Sequence, residues 1–266
     1  MAGTIVFIHG EFLTPKCWEP WRRYFSERGY RCVAPAWPWH DGDPEALRER
    51  IPVETGHLAL RDIVEELTAL CRTLAERPIL IGHSLGGLVV QVLVNRGLAK
   101  AGVCISSSPP NGMLALDWDF LKSRALIANP LRGDKPYLIT EREFGERFCN
   151  TMTREQTRAA YLTYAVHESR NVLRGSLGAA GRVDLRREHA PLLFIAGGRD
   201  RFIPEKLDKK NAEAYAPEAG VVDFKEFPGS GHFICGEPRW EEVASYVEGW
   251  LAAEPWISAN RLGASR

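Results

Sequence analysis

Short runs that are apolar at nearly every position alternate along this chain with stretches whose apolar residues recur every three or four. Ile5 to Ile8, Arg31 to Ala34, Ile79 to Ile81 and Ala101 to Ile105 are runs of the first kind. Trp18, Trp21, Tyr24 and Phe25 ahead of Gly29, then Leu60, Ile63, Val64, Leu67, Leu70, Cys71 and Leu74, then Leu88, Val89, Val92 and Leu93 ahead of Gly97, have the spacing of one helix face. A strand apolar on both sides must be covered on both sides, so the alternation predicts an α/β fold: a parallel sheet with helices on both faces. The rhythm stops after Ile105 and returns at Pro191 to Ala196. A helix near Glu205 to Tyr215, a strand over Val221 to Phe227 and a last helix carrying Trp240, Val243, Ala244, Val247, Trp250 and Leu251 follow, so about six strands are expected.

The interruption has its own character. Thr140-x-x-Glu143 precedes Phe144 and Phe148, and Thr153-x-x-Gln156 precedes Ala160, Tyr161 and Tyr164; both are capping boxes, in which a hydroxyl and a carboxylate or amide satisfy free N–H groups of a helix's first turn. Residues 111–190 are therefore expected to be an inserted helical cap, with residues 1–110 and 191–266 as the two parts of one core. A long loop, Pro35 to Gly56, carries Trp37, Trp39 and His40. Its aromatic rings are equally suited to lining a pocket and to packing the loop down.

The polar residues with chemical potential fall just after predicted strands, where an open parallel sheet binds its ligands. Ser84 lies in Gly82-His83-Ser84-Leu85-Gly86, between a strand and a helix. Glycine on both sides suits a turn where the strand and helix backbones approach closely, and such a turn is expected to lift the Ser84 hydroxyl into the open. The helix N-terminus behind it offers unpaired N–H groups and a positive dipole end to an oxyanion. His9-Gly10-Glu11-Phe12, Asp200 in Gly198-x-Asp200-x-x-x-Pro204, and His232 in Gly231-His232-Phe233 occupy the equivalent places after other strands. A serine needs a neighbouring imidazole to take its proton, and the imidazole needs a carboxylate to fix its tautomer. Asp117 and Asp119 are rivals for that carboxylate, with the weaker context. His9 is expected to brace its loop, His83 to shape the site or its pocket wall, and His40, His57, His167 and His189, which lack metal-type spacing, to hold loop or surface roles.

Composition narrows the partners. Lys plus Arg and Asp plus Glu number 34 each, so net charge gives no reason to recruit nucleic acid or an anionic membrane, and a small uncharged molecule is the expected partner. Six cysteines without Cys-x-x-Cys spacing, several in apolar runs, point to buried thiols and a reducing compartment. With no signal-peptide pattern and no long apolar span, a soluble cytoplasmic protein is expected. Neither metal nor organic cofactor is implied, and the oligomeric state is left open.

Taken together, these motifs resemble those of the α/β-hydrolase superfamily, in particular its small bacterial esterase and lipase-like serine hydrolases. The similarity runs over nearly the whole chain. It implies Ser84 as nucleophile, Asp200 as orienting acid, His232 as general base, and an oxyanion hole made by the N–H of Leu85 with that of Glu11 or Phe12. It implies cleavage of a small or medium uncharged carboxylic ester, with Trp37, His83, Phe144, Phe148 and Tyr161 as candidates for binding the substrate. The same scaffold also supports lactonases, perhydrolases of the haloperoxidase type, carbon–carbon hydrolases, hydroxynitrile lyases and ligand receptors that keep the triad. Two departures stand out. The chain starts at what would be the family's third strand, so two antiparallel edge strands are expected to be absent. Glu11 also puts a carboxylate beside the expected hole, where it would repel a developing negative charge unless its side chain turned outward.

Overall fold

Six parallel strands form a single open sheet in the computed structural model, which describes residues 3–111, 113, 131 and 133–253. They are β1 (Thr4–Ile8), β2 (Arg31–Val33), β3 (Ile79–His83), β4 (Ala101–Ile105), β5 (Leu192–Gly197) and β6 (Val222–Phe227), arranged in the order β2-β1-β3-β4-β5-β6. Register pairs Ile5 with Ile79, Ile81 with Val103 and Cys104 with Phe194. From β1 the chain steps outward to β2, then returns to the other side of β1 at β3. That reversal leaves a crevice at the C-terminal ends of β1 and β3, where His9 and Ser84 begin their loops.

The two faces of the sheet divide the core by the strand period of two. Ile5, Phe7, Ile79, Ile81, Val103, Ile105, Leu193 and Ile195 point to one side, against Trp21 and Phe25 of α1 (Glu19–Ser26) and Val243, Val247 and Leu251 of α9 (Trp240–Ala252). Val6, Ile8, Leu80, Cys104, Leu192 and Phe194 point to the other, against α3 (Leu60–Thr73) and α4 (Leu85–Asn95). Each such fully buried side chain contributes roughly 1.5–3 kcal/mol. Within this core the indole N–H of Trp21 donates to the Cys235 carbonyl at 2.8 Å. All six cysteines are free thiols, five of them buried and Cys32 half-buried, and burial raises the pKa of Cys17, Cys71, Cys104, Cys149 and Cys235.

Two stretches carry more helix than their sequence pattern suggested. The loop 35–56 includes α2 (Pro44–Glu49), opened by the Asp43 carboxylate, which accepts from the Glu45 N–H at 2.9 Å, and by proline at the first helical position. Six residues are too few to display an apolar period. Between β4 and β5 the described residues hold α5 (Glu141–Arg147), α6 (Arg154–Tyr164) and α7 (Arg170–Ser176), the last capped by Ser169. The remaining helix, α8 (Glu205–Glu213), joins β5 to β6. Among the described residues no helix is long and apolar enough to cross a membrane.

Both capping boxes form as read from the sequence. Glu143 N–H donates to Thr140 Oγ1 at 3.2 Å while Thr140 N–H donates to Glu143 Oε2 at 3.1 Å, and Thr153 and Gln156 repeat the exchange. Because α5 delivers Phe144 and Phe148 to the interior, its first turn is a point where surface chemistry supports the site. Replacing Thr140 by Ala is expected to cost about 1 kcal/mol, read as a fall in Tm of about 2–4 °C in calorimetry.

Candidate active site

Ser84 is held in a backbone conformation that L-residues avoid, φ 56° and ψ −119°. Neighbouring glycines make the turn possible. A Cβ on Gly82 would overlap the Gly86 carbonyl, and a Cβ on Gly86 would overlap the carbonyls of Ile8 and His9 at the exit of β1. The strained residue is pinned on three sides: its N–H donates to Ile105 O at 2.9 Å, and its carbonyl accepts from Gly87 N–H at 3.0 Å and Ser108 N–H at 3.1 Å. The loops after β1, β3 and β4 are thus packed into one unit.

His232 reaches Ser84 from the loop after β6. Its Nε2 lies 3.0 Å from Ser84 Oγ, and its Nδ1 lies 2.7 Å from Asp200 Oδ2. The other oxygen of Asp200 accepts from the N–H groups of Phe202 and Ile203 at 2.7 and 2.8 Å, so the carboxylate cannot swing away. With Nδ1–H donating to Asp200 Oδ2, the Nε2 lone pair is left facing the Ser84 hydroxyl. The sequence reading had the turn lift Ser84 into the open, but the structure buries both Ser84 and His232 completely. The cause is aromatic packing, because Phe148 sets its edge on the His232 ring with centroids 4.8 Å apart and Phe202 covers it at 4.9 Å.

The five candidates for substrate contact fall in three places. Phe148 and His83 are brought to His232. The His83 ring lies 4.8 Å from that of His232, and its Nε2–H donates to the His232 carbonyl at 2.8 Å. Burial, then the neighbouring His232, holds the His83 imidazole well below the usual histidine range, so it stays neutral. Phe144 and Tyr161 stand one layer behind: Phe144 stacks on Phe148 at 5.0 Å, and Tyr161 leans on Phe144 and donates its hydroxyl to Ile139 O at 3.0 Å. Trp37 lies against His9, with ring centroids 4.3 Å apart, and its ring packs the long loop down; Trp39 is exposed. Asp117 and Asp119 fall outside the described residues.

The His9 to Phe12 loop runs beside Ser84. His9 Nδ1–H donates to Gly10 O at 3.0 Å and its Nε2 accepts from Trp37 N–H at 3.2 Å, a pairing that requires the neutral ring. Burial, reinforced by the neighbouring His40, pushes its pKa down to about 3. Glu11 is buried, so its carboxylate is not turned out to solvent as repulsion by an oxyanion would demand. Phe12 adopts φ 64°, and its N–H points to Glu168 Oε2 at 3.4 Å. Leu85, the first residue of α4, presents its N–H at the start of the helix, beside Ser84. Two members of this region escaped the sequence reading. Glu168 gave no motif, and His40, assigned a loop or surface role, is fully buried against it with Nε2 3.4 Å from Oε2. His57 is exposed as expected, while His189 is buried beside Tyr215.

A family model described as the alpha/beta hydrolase family matches residues 5–246. No curated protein sequence matches the chain. Among solved structures, polyneuridine aldehyde esterase superposes with a TM-score of 0.66 at 16% identity, covering 93% of this chain and 98% of that one. A thermophilic esterase from Thermogutta terrifontis gives 0.68 at 18% identity over 95% and 90%. A monoacylglycerol lipase from Paleococcus ferrophilus gives 0.66 at 16% over 94% of each. At these identities the likeness is one of fold.

The pairing of His83 yields a spectroscopic expectation. Its ring nitrogens should report a neutral, Nε2-protonated tautomer with no titration step between about pH 5 and 8, where an ordinary histidine changes charge. Nitrogen-15 NMR measures this directly, and a step in that window would contradict the buried hydrogen bond to His232 O.

Proposed function

The chain belongs to the alpha/beta hydrolase family, and on that premise we propose that it hydrolyses small or medium uncharged carboxylic esters through Ser84, His232 and Asp200. The observation that carries the reading is the continuous line from Asp200 Oδ2 through the His232 ring to Ser84 Oγ, with spacings of 2.7 and 3.0 Å. Those distances allow a proton to move from the hydroxyl to Nε2 as Oγ attacks the acyl carbon. Asp200, tied to two backbone N–H groups, stabilises the imidazolium that forms. His232 then returns the proton to the leaving alcohol, and water repeats the cycle on the acyl-enzyme.

The negative charge of the tetrahedral intermediate needs donors placed in advance. Leu85 supplies one N–H from the start of α4. Of the two candidates in the His9 loop, Phe12 has its N–H directed to Glu168, so the second donor is assigned to Glu11. Apolar rings wall the histidine, and Phe148 and Phe202 bring no charge to it. That lining favours uncharged acyl groups. The described helical residues of the 111–190 insertion act as a cap on the site, and Phe148 is the cap ring placed to sense the substrate.

Two measurements test the reading. A fluorophosphonate probe should label Ser84 once per chain, and Ser84→Ala should remove both labelling and turnover of nitrophenyl esters; Asp200→Asn should lower kcat by about 10⁴-fold, as loss of the orienting acid does in a related triad. Labelling at Ser106, Ser107 or Ser108 would move the nucleophile to the next strand. For the cap, Phe148→Ala should shift the chain-length preference across a nitrophenyl ester series by at least about tenfold in relative kcat/KM, the size expected for one or two methylenes in an apolar pocket. Tyr161→Phe, one ring further out, should leave that series unchanged. An unchanged series in both variants would make the cap a packing element.

A further inference from the structure

Resting on the reading of Ser84 as nucleophile, we propose that the buried Glu168 carboxylate, charged against His40, is a positioning group that holds the oxyanion loop from the cap side. Glu168 is fully buried, and a carboxylate in that position has to be matched by donors. Three face it. Oε1 accepts from Ser169 N–H at 2.7 Å, Oε2 accepts from Phe12 N–H at 3.4 Å, and His40 Nε2 lies 3.4 Å from Oε2. The backbone of Glu168 is itself fixed, exchanging hydrogen bonds with Tyr137 at 2.8 and 2.9 Å.

The proton positions on His40 follow from its neighbours. Nδ1 lies 2.9 Å from the carbonyl of Pro38, which can only accept, so Nδ1 carries a proton. Nε2 stands 3.4 Å from the Glu168 carboxylate, and the His167 backbone also favours the charged ring, so the arrangement suits the imidazolium. Burial alone would push the His40 pKa down, but the Glu168 carboxylate more than offsets it and holds the pKa above the ordinary value. The other groups around the pair do not compete for this role: His9, its ring 5.7 Å from that of His40, is held neutral by Trp37 N–H and Gly10 O, and Arg48 spends its guanidinium on the carbonyls of Ala165 and Leu162.

What the pair holds is Phe12. This residue keeps a left-handed backbone, which an L-residue sustains only where its surroundings impose it. The cap segment grips it from both ends, Glu168 taking its N–H and Val166 N–H donating to its carbonyl at 2.9 Å. The orientation of Phe12 fixes the next peptide back, and with it the N–H of Glu11 that the proposed mechanism uses. A carboxylate suits this place better than an amide, since both oxygens face N–H donors and the NH₂ of a glutamine would confront one of them whichever way it was flipped.

The test uses the full chain with p-nitrophenyl acetate, a fluorophosphonate and NMR of His40. Glu168→Gln should lower kcat by about 10- to 100-fold, short of the 10²–10³ lost when an oxyanion donor is removed outright, with KM within about twofold. Phosphonylation should slow in parallel yet still reach one label per chain, which shows the site to be folded. His40 in the wild type should stay protonated above the ordinary histidine range, and lose that protonation at lower pH in Glu168→Gln. Wild-type kcat and labelling rate in Glu168→Gln, or a wild-type His40 that titrates as an ordinary histidine, would overturn the proposal. If Glu168→Gln does not fold, Glu168→Asp, which keeps the charge and shortens the reach, takes its place with the same expectations for kcat and labelling. Absence of Ser84-dependent turnover and labelling in the wild type would defeat the ester reading instead, and the His40 titration would still decide whether the charged pair exists.

Discussion

Everything at the candidate site depends on how closely the exit of β1 approaches the start of α4. Gly86 has no Cβ because the carbonyls of Ile8 and His9 occupy its place, and a Cβ on Gly10 would come within 3.0 Å of the Ser84 Cβ. Contact at that distance sets Ser84 and the His9 to Phe12 loop firmly against each other. It also explains why a strained serine persists: Ser84 loses roughly 1–2 kcal/mol to its left-handed backbone, and the surrounding loops return it through three backbone hydrogen bonds. A single methyl group on either glycine would separate the two halves of the site before it altered any reacting atom.

Around this contact the protein sets four buried imidazoles into different states by local hydrogen bonding. His232 is oriented by a carboxylate and faces a hydroxyl. His83 is neutral and supports the His232 backbone, His9 is neutral and ties Trp37 to the loop, and His40 is paired with Glu168. A ring between two partners of fixed sense has its proton decided by geometry, whereas His40, with the Pro38 carbonyl at one nitrogen and the Glu168 carboxylate near the other, is pushed toward the charged form. Sequence spacing distinguishes none of these states, since each depends on a partner 28 to 149 positions away.

That is also the dividing line for what could be read from the chain alone. The sheet was legible because strands buried on both faces must be apolar throughout, and the elbow because only glycine tolerates its close approaches. Ser84, Asp200 and His232 were legible as the residues following strands, and the structure brings their side chains within hydrogen-bond reach. The capping boxes at Thr140 and Thr153 were equally local. Glu168 was not legible: it lies between α6 and α7 in a segment with no period, and its meaning comes from Phe12 and His40. The choice between Glu11 and Phe12 was open for the same reason, because the partner of the Phe12 N–H, the Glu168 carboxylate, arrives from a segment 156 positions away. Trp37 and Tyr161 show the converse error, where residues of pocket-lining type are used for packing and for a hydrogen bond to Ile139.

The insertion is joined to the core at places that matter for chemistry. Phe148 O accepts from Phe233 N–H at 2.9 Å, one residue beyond His232, and Val166 and Glu168 hold both backbone groups of Phe12, one residue beyond Glu11. Glu237, which takes the Gly231 N–H at 2.8 Å just before His232, also receives the Thr151 hydroxyl from the turn after α5. A cap that touched only the rim of a pocket could change shape and alter substrate size alone. Here its backbone is hydrogen-bonded next to the proposed base and next to the proposed oxyanion donor. Movement of residues 139–169 relative to the sheet would therefore change the angle at which His232 and Glu11 address a substrate. Under the proposed function, specificity and rate would be coupled through these same hydrogen bonds.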